Sequence, residues 1–270
     1  YTGKEHSWDE AFGYFGAPAH ALMLSPQELY EIAKLGGKSE PAENALMYGD
    51  FNKDGSLDLK TEMVFGPAYY AAAFDKGGTS YGKTIVRAFL DGRSLLADAK
   101  GEKLSDSERS SLKDLATIIG TNWEKIYAEA VFKYAGSVYK DMMALQTIIE
   151  ANGDTAKAYS NYIKHWGELK GFSLALQTGK NNLGETAIRL NRLIGGGPLL
   201  INLSQVTDID KQGNYVRDQG PAWGEYMLHM LKVQAVVIDK FSIKGRNNDM
   251  TGELATLSEM LGSGSSAEND

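Results

Sequence analysis

The sequence predicts an all-α fold: two packed helical bundles joined by long loops, one of the loops of calcium type. Three observations carry that expectation. Apolar residues recur at helical spacing over several long stretches. Helix-start signals stand at the head of those stretches. No stretch alternates apolar and polar residues as a half-buried strand would; residues 199–206 come nearest.

Taken in order, Ser25-Pro26-Gln27-Glu28 is a capping box with proline at the first helical position, and it opens a helix over 25–35. Residues 83–97 carry Ile85, Val86, Phe89, Leu95 and Leu96 at helical spacing. A second capping box, Ser105-Asp106-Ser107-Glu108, opens a helix over 105–119. Residues 122–151 form a long helix, with Trp123, Ile126, Val131, Tyr134, Val138, Met142, Leu145 and Ile149 on one stripe. Asp154 caps a helix that runs to 177, and further helices cover 185–193, 221–241 and 251–261.

The intervening segments are expected to be irregular. Residues 36–80, rich in Gly, Pro, Asn and Asp, are too long for a simple connector, and such loops are functional or hold small structures of their own. Gly195-Gly196-Gly197-Pro198 breaks the chain sharply, and the polar stretch 204–220 reads as a surface loop. The expected organisation is one helical domain, 1–262, made of two bundle halves near 1–120 and 121–262, with a disordered tail at 263–270.

Composition narrows the function. A hydrophobic fraction of 43% is ample for a core. The net charge of −7, with no long basic run, argues against a nucleic-acid partner. With no cysteine there is no disulfide, no thiolate nucleophile, no zinc–thiolate site and no iron–sulfur cluster. There is no nucleophile elbow, phosphate loop or dinucleotide fingerprint. No signal-like stretch and no apolar run near membrane-spanning length occurs, so the chain reads as a soluble, mature or trimmed piece.

The most specific motif is Asp50-Phe51-Asn52-Lys53-Asp54-Gly55-Ser56-Leu57-Asp58. Oxygen donors recur at alternate positions, Gly55 permits a sharp turn, and Ser56 offers its carbonyl, which is how a short loop wraps a hard cation. Glu62 comes one residue later than the closing glutamate of an EF-hand, where Thr61 stands, so the loop is either longer by one or closes with Asp58. Asp50, Asn52, Asp54, Ser56, Asp58 and Glu62 are the expected Ca²⁺ ligands, in a structural role. The alternative is an Asp/Asn/Gly turn without metal.

A second pattern is repeated. Trp8-Asp9-Glu10, Trp166-Gly167-Glu168 and Trp223-Gly224-Glu225 each have a histidine close in sequence: His6, His165 and His229. The first two extend alike to Gly13-Tyr14 and Gly171-Phe172, which suggests a duplicated scaffold. On a helix His6 and Glu10, or His165 and Glu168, share a face and present an imidazole and a carboxylate together. That chemistry suits Fe, Zn or Mn. The competing reading is structural: Trp packs in the core while Glu and His satisfy polar groups nearby. His20 has no acidic neighbour at helical spacing and reads as a loop histidine.

The segments Glu5 to Gly16 and His165-Trp166-Gly167-Glu168-Leu169-Lys170-Gly171-Phe172 resemble a family of bacterial surface lipoproteins filed as a domain of unknown function. That family is distantly similar to the imelysin-like proteins, and the resemblance runs over most of the chain. It implies a duplicated pair of helical bundles, a periplasmic or outer-membrane location, and an association with iron uptake. It also implies a membrane attachment made only through a lipid anchor upstream of Tyr1. Imelysin-like proteins carry Gly-x-His-x-x-Glu, once described as a metallopeptidase motif. Here His165 and Glu168 fit its core, but Ile163 replaces the leading glycine, and Asp9 stands where a glutamate would follow His6.

The function expected from residues and resemblance together is that of an extracytoplasmic, non-enzymatic binding protein. It would take a metal ion or metal-bearing small ligand, with a structural Ca²⁺ site and an outer-membrane or surface protein as partner. The alternatives are a metal-dependent hydrolase of the imelysin peptidase type and a calcium-stabilised adhesion or assembly module. No catalytic residue is assigned.

Overall fold

The computed structural model describes residues 2–34, 42–179 and 181–262. The expected disordered tail at 263–270 lies outside the described residues. The chain divides into two compact units, 1–126 and 127–270.

The first unit is helical. α1 (Gly3–Phe15) starts at Thr2, whose hydroxyl accepts from the Glu5 N–H while the Glu5 carboxylate accepts from the Thr2 N–H. It stops at Gly16, which takes a left-handed backbone (φ 83) where the Phe65 carbonyl leaves no room for a side chain. α2 (Pro26–Ala33) opens with the expected reciprocal pairing of Ser25 and Glu28. The segment expected to be irregular holds two short helices, α3 (Ala42–Gly49) and α4 (Gly66–Asp75). α4 is built on Pro67 in its first turn and an alanine run. α2 packs on α3 and α4, and α1 packs on α4 and α5 (Tyr81–Asp98). The core between them includes Phe15, Ile32, Phe74, Ile85 and Phe89.

Asp75 joins α4 to α5. Its carboxylate accepts from the Thr79 hydroxyl (2.6 Å) and from the N–H groups of Tyr81 (2.8 Å) and Gly82 (2.9 Å), at the positive end of α5. Burial outweighs these bonds and pushes the carboxyl above its ordinary value of 3.8. The folded chain therefore binds this proton more tightly than the unfolded chain. Its contribution to stability is fully present below 3.8 and is lost as pH rises through the folded-state value. Urea unfolding followed as pH rises from 3.8 should show that decline in the wild type, relative to Asp75→Asn. Parallel pH profiles for the two proteins would contradict the assignment.

The two helices expected over 105–119 and 122–151 are one, α6 (Asp106–Glu150), of 45 residues. Gly120 between them is exposed and costs only about 1 kcal/mol in a helix interior, too little to end a helix whose stripe continues on both sides. The division between the units falls inside α6.

The second unit contains α7 (Ala156–Gln177), α8 (Glu185–Ile194), α9 (Trp223–Phe241) and α10 (Leu254–Met260). α8 packs on α7 and α9, and α10 on α9. Phe132, Met142 and Leu145 from α6 are buried in this unit, as are Tyr162, Leu169 and Tyr226.

The stretch expected to be a surface loop is an antiparallel hairpin of β1 (Ser204–Ile209) and β2 (Tyr215–Gln219), with Ser204 opposite Gln219 and an irregularity between Val206 and Asp208. β2 is exposed throughout and β1 is exposed beyond Val206. Neither face is buried along the ribbon, so no apolar alternation marks it. The turn supplies the order instead: Asp210 accepts from the Gln212 and Asn214 N–H groups, and Gly213 takes φ 86.

Candidate metal sites

The cation loop lies between two helices, inside the segment expected to be irregular. α3 ends at Gly49, immediately before Asp50, and α4 begins at Gly66. Gly55 has φ 86 and Lys53 φ 62, so the backbone turns twice through the left-handed region. The side chains wind the loop on itself. Asp50 accepts from the N–H groups of Asp54 (3.1 Å) and Gly55 (2.9 Å), Asn52 from Asp54 (2.9 Å), and Asp54 from Ser56 (2.9 Å). Hydrogen bonds from Ser56 and Asn52 hold the Asp54 carboxyl below its usual value, and so ionised.

Glu62 is 3% exposed and closes the turn from the inside. One carboxylate oxygen accepts from the N–H groups of Phe51 and Asn52, the other from that of Asp58 (2.8 Å). Asp50, Asn52, Asp54 and Glu62 are thus tied into one hydrogen-bonded loop. Asp58 turns both oxygens to the next turn, on Lys60 N–H and the Thr61 hydroxyl, and the Ser56 hydroxyl donates to Asp54. Among the described residues no group of three or more His, Asp or Glu side chains is placed to hold a metal ion.

The three Trp-x-Glu segments all lie on helices, and what they share is the indole. Trp8 Nε1 donates to the Phe89 carbonyl (2.7 Å), Trp166 Nε1 to the Tyr226 hydroxyl (2.7 Å), and Trp223 Nε1 to the Met142 carbonyl (3.3 Å). The Tyr226 hydroxyl in turn donates to the Ile194 carbonyl. The glutamates diverge. Glu10 is exposed on α1, Glu225 accepts from the Ala222 N–H at the start of α9, and Glu168 keeps one oxygen buried without a hydrogen-bond partner. Gly13 and Gly171, which extend the repeat, face open space.

The histidines diverge as well. His6 is exposed on α1, in the first unit, where its acidic neighbours Glu5 and Asp9 both pair with Arg93 (2.9 Å each). His165, on α7 in the second unit, meets Asp141 of α6, with Nδ1 2.6 Å from the carboxylate. Neither Asp141 nor Arg93 could be paired with these helices from sequence, because each partner lies on another helix, far outside the spacing of one turn. His20 lies in the loop that follows α1, as expected, and there it is 7% exposed and stacks on Phe51 of the cation loop (4.8 Å, 14°).

No helix among the described residues is long and apolar enough to cross a membrane. Comparison with protein-family models, curated proteins and solved structures finds no match to this chain.

Proposed function

We propose that the chain is a non-enzymatic binding protein that acts outside the cytoplasm, with Ca²⁺ as a structural ion in the loop 50–62. One observation carries the calcium reading: a helix–loop–helix segment winds Asp50, Asn52 and Asp54 round Gly55 and folds the buried Glu62 back against them. Six to eight oxygens at flexible distances suit Ca²⁺ better than Mg²⁺. Bound there, the ion would fix α3 relative to α4 within the first unit. The extracytoplasmic part rests on the lipoprotein resemblance and on the absence of cysteine.

Chelator-treated protein should bind one Ca²⁺ per chain by calorimetry, and Asp54→Ala or Glu62→Gln should remove that binding. At a hundredfold excess over the dissociation constant the ion adds about 2.7 kcal/mol to the stability of the unit that holds it. Failure to bind up to about 10 mM, beyond the range of weak extracellular Ca²⁺ modules, would refute the reading.

A second reading is favoured by the Asp141–His165 contact. A carboxylate on Nδ1 fixes the imidazole so that Nε2 is the nitrogen offered to a metal. Glu168, one turn on, holds a buried oxygen without a hydrogen-bond partner. Iron or zinc held there would make the chain a transition-metal carrier. Elemental analysis after loading tests it: one Fe or Zn per chain in wild type and none in His165→Ala supports it, and equal metal in both removes it.

A further inference from the structure

We propose that the first unit binds a small, neutral, apolar molecule of the size of a single aromatic ring, in a cavity of about 200 Å³ between α2, α4 and α5. The cavity is distinct from the cation loop, and of the Trp-x-Glu helices only α1 reaches it, through Phe15 at its C-terminal end. Its floor is made of Phe15, Val64 and Ala72, which are 1%, 1% and 2% exposed. Its rim includes Ser25 and Lys83, which are exposed, so the space reaches the surface.

The cavity exists because side chains are small where they could be large. Ala68 and Ala72 stand one turn apart on α4, and both line the space. An unfilled cavity costs stability in proportion to its volume. Leucine at either position would fill much of it.

The lining chemistry fixes the class of ligand. Apart from the rim, the wall is aliphatic and aromatic, with Asp75 the only buried charge among the described lining residues. Asp75 already accepts from the Thr79 hydroxyl and from two N–H groups of α5, so it has little to offer an incoming donor. None of the described lining residues holds a buried side-chain polar atom without a partner. Water needs two to four polar partners to settle in a cavity, which the floor side chains Phe15, Val64 and Ala72 do not supply, and an apolar cavity of about 150 Å³ takes benzene. This one is somewhat larger, which admits a substituted ring. A charged ligand would give up its hydration at the floor for nothing in return.

Toluene is the probe. Titrated into the full chain and followed by methyl NMR, it should give saturable shifts at Val64, Ala68 and Ala72 that leave the methyl groups of the second unit unmoved. Ala72→Leu and, separately, Ala68→Leu should weaken binding by at least about tenfold. The same spectra report whether each variant is folded, and either one suffices. Absence of saturable shifts in the wild type would overturn the proposal. So would unchanged toluene affinity in a folded leucine variant, or shifts spread without regard to the cavity.

Discussion

Replacing Glu129 with alanine is expected to destabilise the second unit by about 3–5 kcal/mol, the cost typical of removing one partner from a buried charged hydrogen-bond cluster. Glu129 is fully buried on α6. Its carboxylate accepts from three successive backbone N–H groups, those of Lys244 (2.9 Å), Gly245 (2.5 Å) and Arg246 (2.8 Å). The segment they belong to is conformationally costly: Ser242, Arg246 and Asn248 all take left-handed backbone, at φ 50, 45 and 60. It returns only because polar groups hold it. Gln234 of α9 donates to the carbonyls of Phe132 and Asn248 and accepts from the Met250 N–H. Gly136 leaves the Asn248 carbonyl room against α6. Without the carboxylate, three donors are left to water that must first enter the core. Glu129→Gln should fall in between, since its amide nitrogen cannot accept. Urea unfolding gives the stability, and hydrogen exchange at residues 244–246 localises it, with protection falling at least about tenfold in Glu129→Ala. A loss below about 1 kcal/mol would show that the segment is held by its apolar contacts instead.

Glu129 also shows what sequence could not give. A glutamate inside an apolar helical stripe looks like an interruption of the pattern, and its three partners lie more than a hundred residues downstream. Local signals fared better. The box at Ser25 and Glu28 and the stripe through Phe89 rest on contacts within one or two turns, and the helices stand where those signals put them. Errors arose where a local signal was weak or outweighed. The helices expected over 105–119 and 122–151 are one because the apolar stripe continues through the join, and the hairpin at 204–219 has too little buried face to leave a periodic trace. The cation loop was legible as a spacing of oxygens. That Asp58 turns away to the following turn while Glu62 folds inward depends on side-chain torsions that spacing does not determine. In the Trp-x-Glu segments the indole proved the shared anchor, and the glutamates serve three different surroundings.

Two glycine-to-alanine changes in helices should have opposite signs. Gly120→Ala, exposed and with nothing near its missing Cβ, should stabilise by about 0.5–1 kcal/mol, because alanine loses less backbone entropy in a helix. Gly92→Ala gains the same intrinsic amount and should nevertheless destabilise, by about 2–4 kcal/mol net. A Cβ at position 92 would fall inside the indole of Trp8, so the ring must leave. The ring is held on two sides: its Nε1 donates to the Phe89 carbonyl (2.7 Å), and it packs edge-on against the Phe89 ring (5.7 Å, 70°). Moving it also disturbs the seat of Arg93, the residue next to Gly92, which bridges to Glu5 and Asp9 of α1. Those surface bridges contribute little by themselves. The loss comes from the displaced indole, the unpaired N–H and the opened α1–α5 contact. Thermal unfolding of the two variants beside the wild type decides the matter, with tryptophan fluorescence reporting whether an indole in Gly92→Ala has moved into water. Should Gly92→Ala unfold at or above the wild-type temperature, Trp8 is not the anchor that joins α1 to α5.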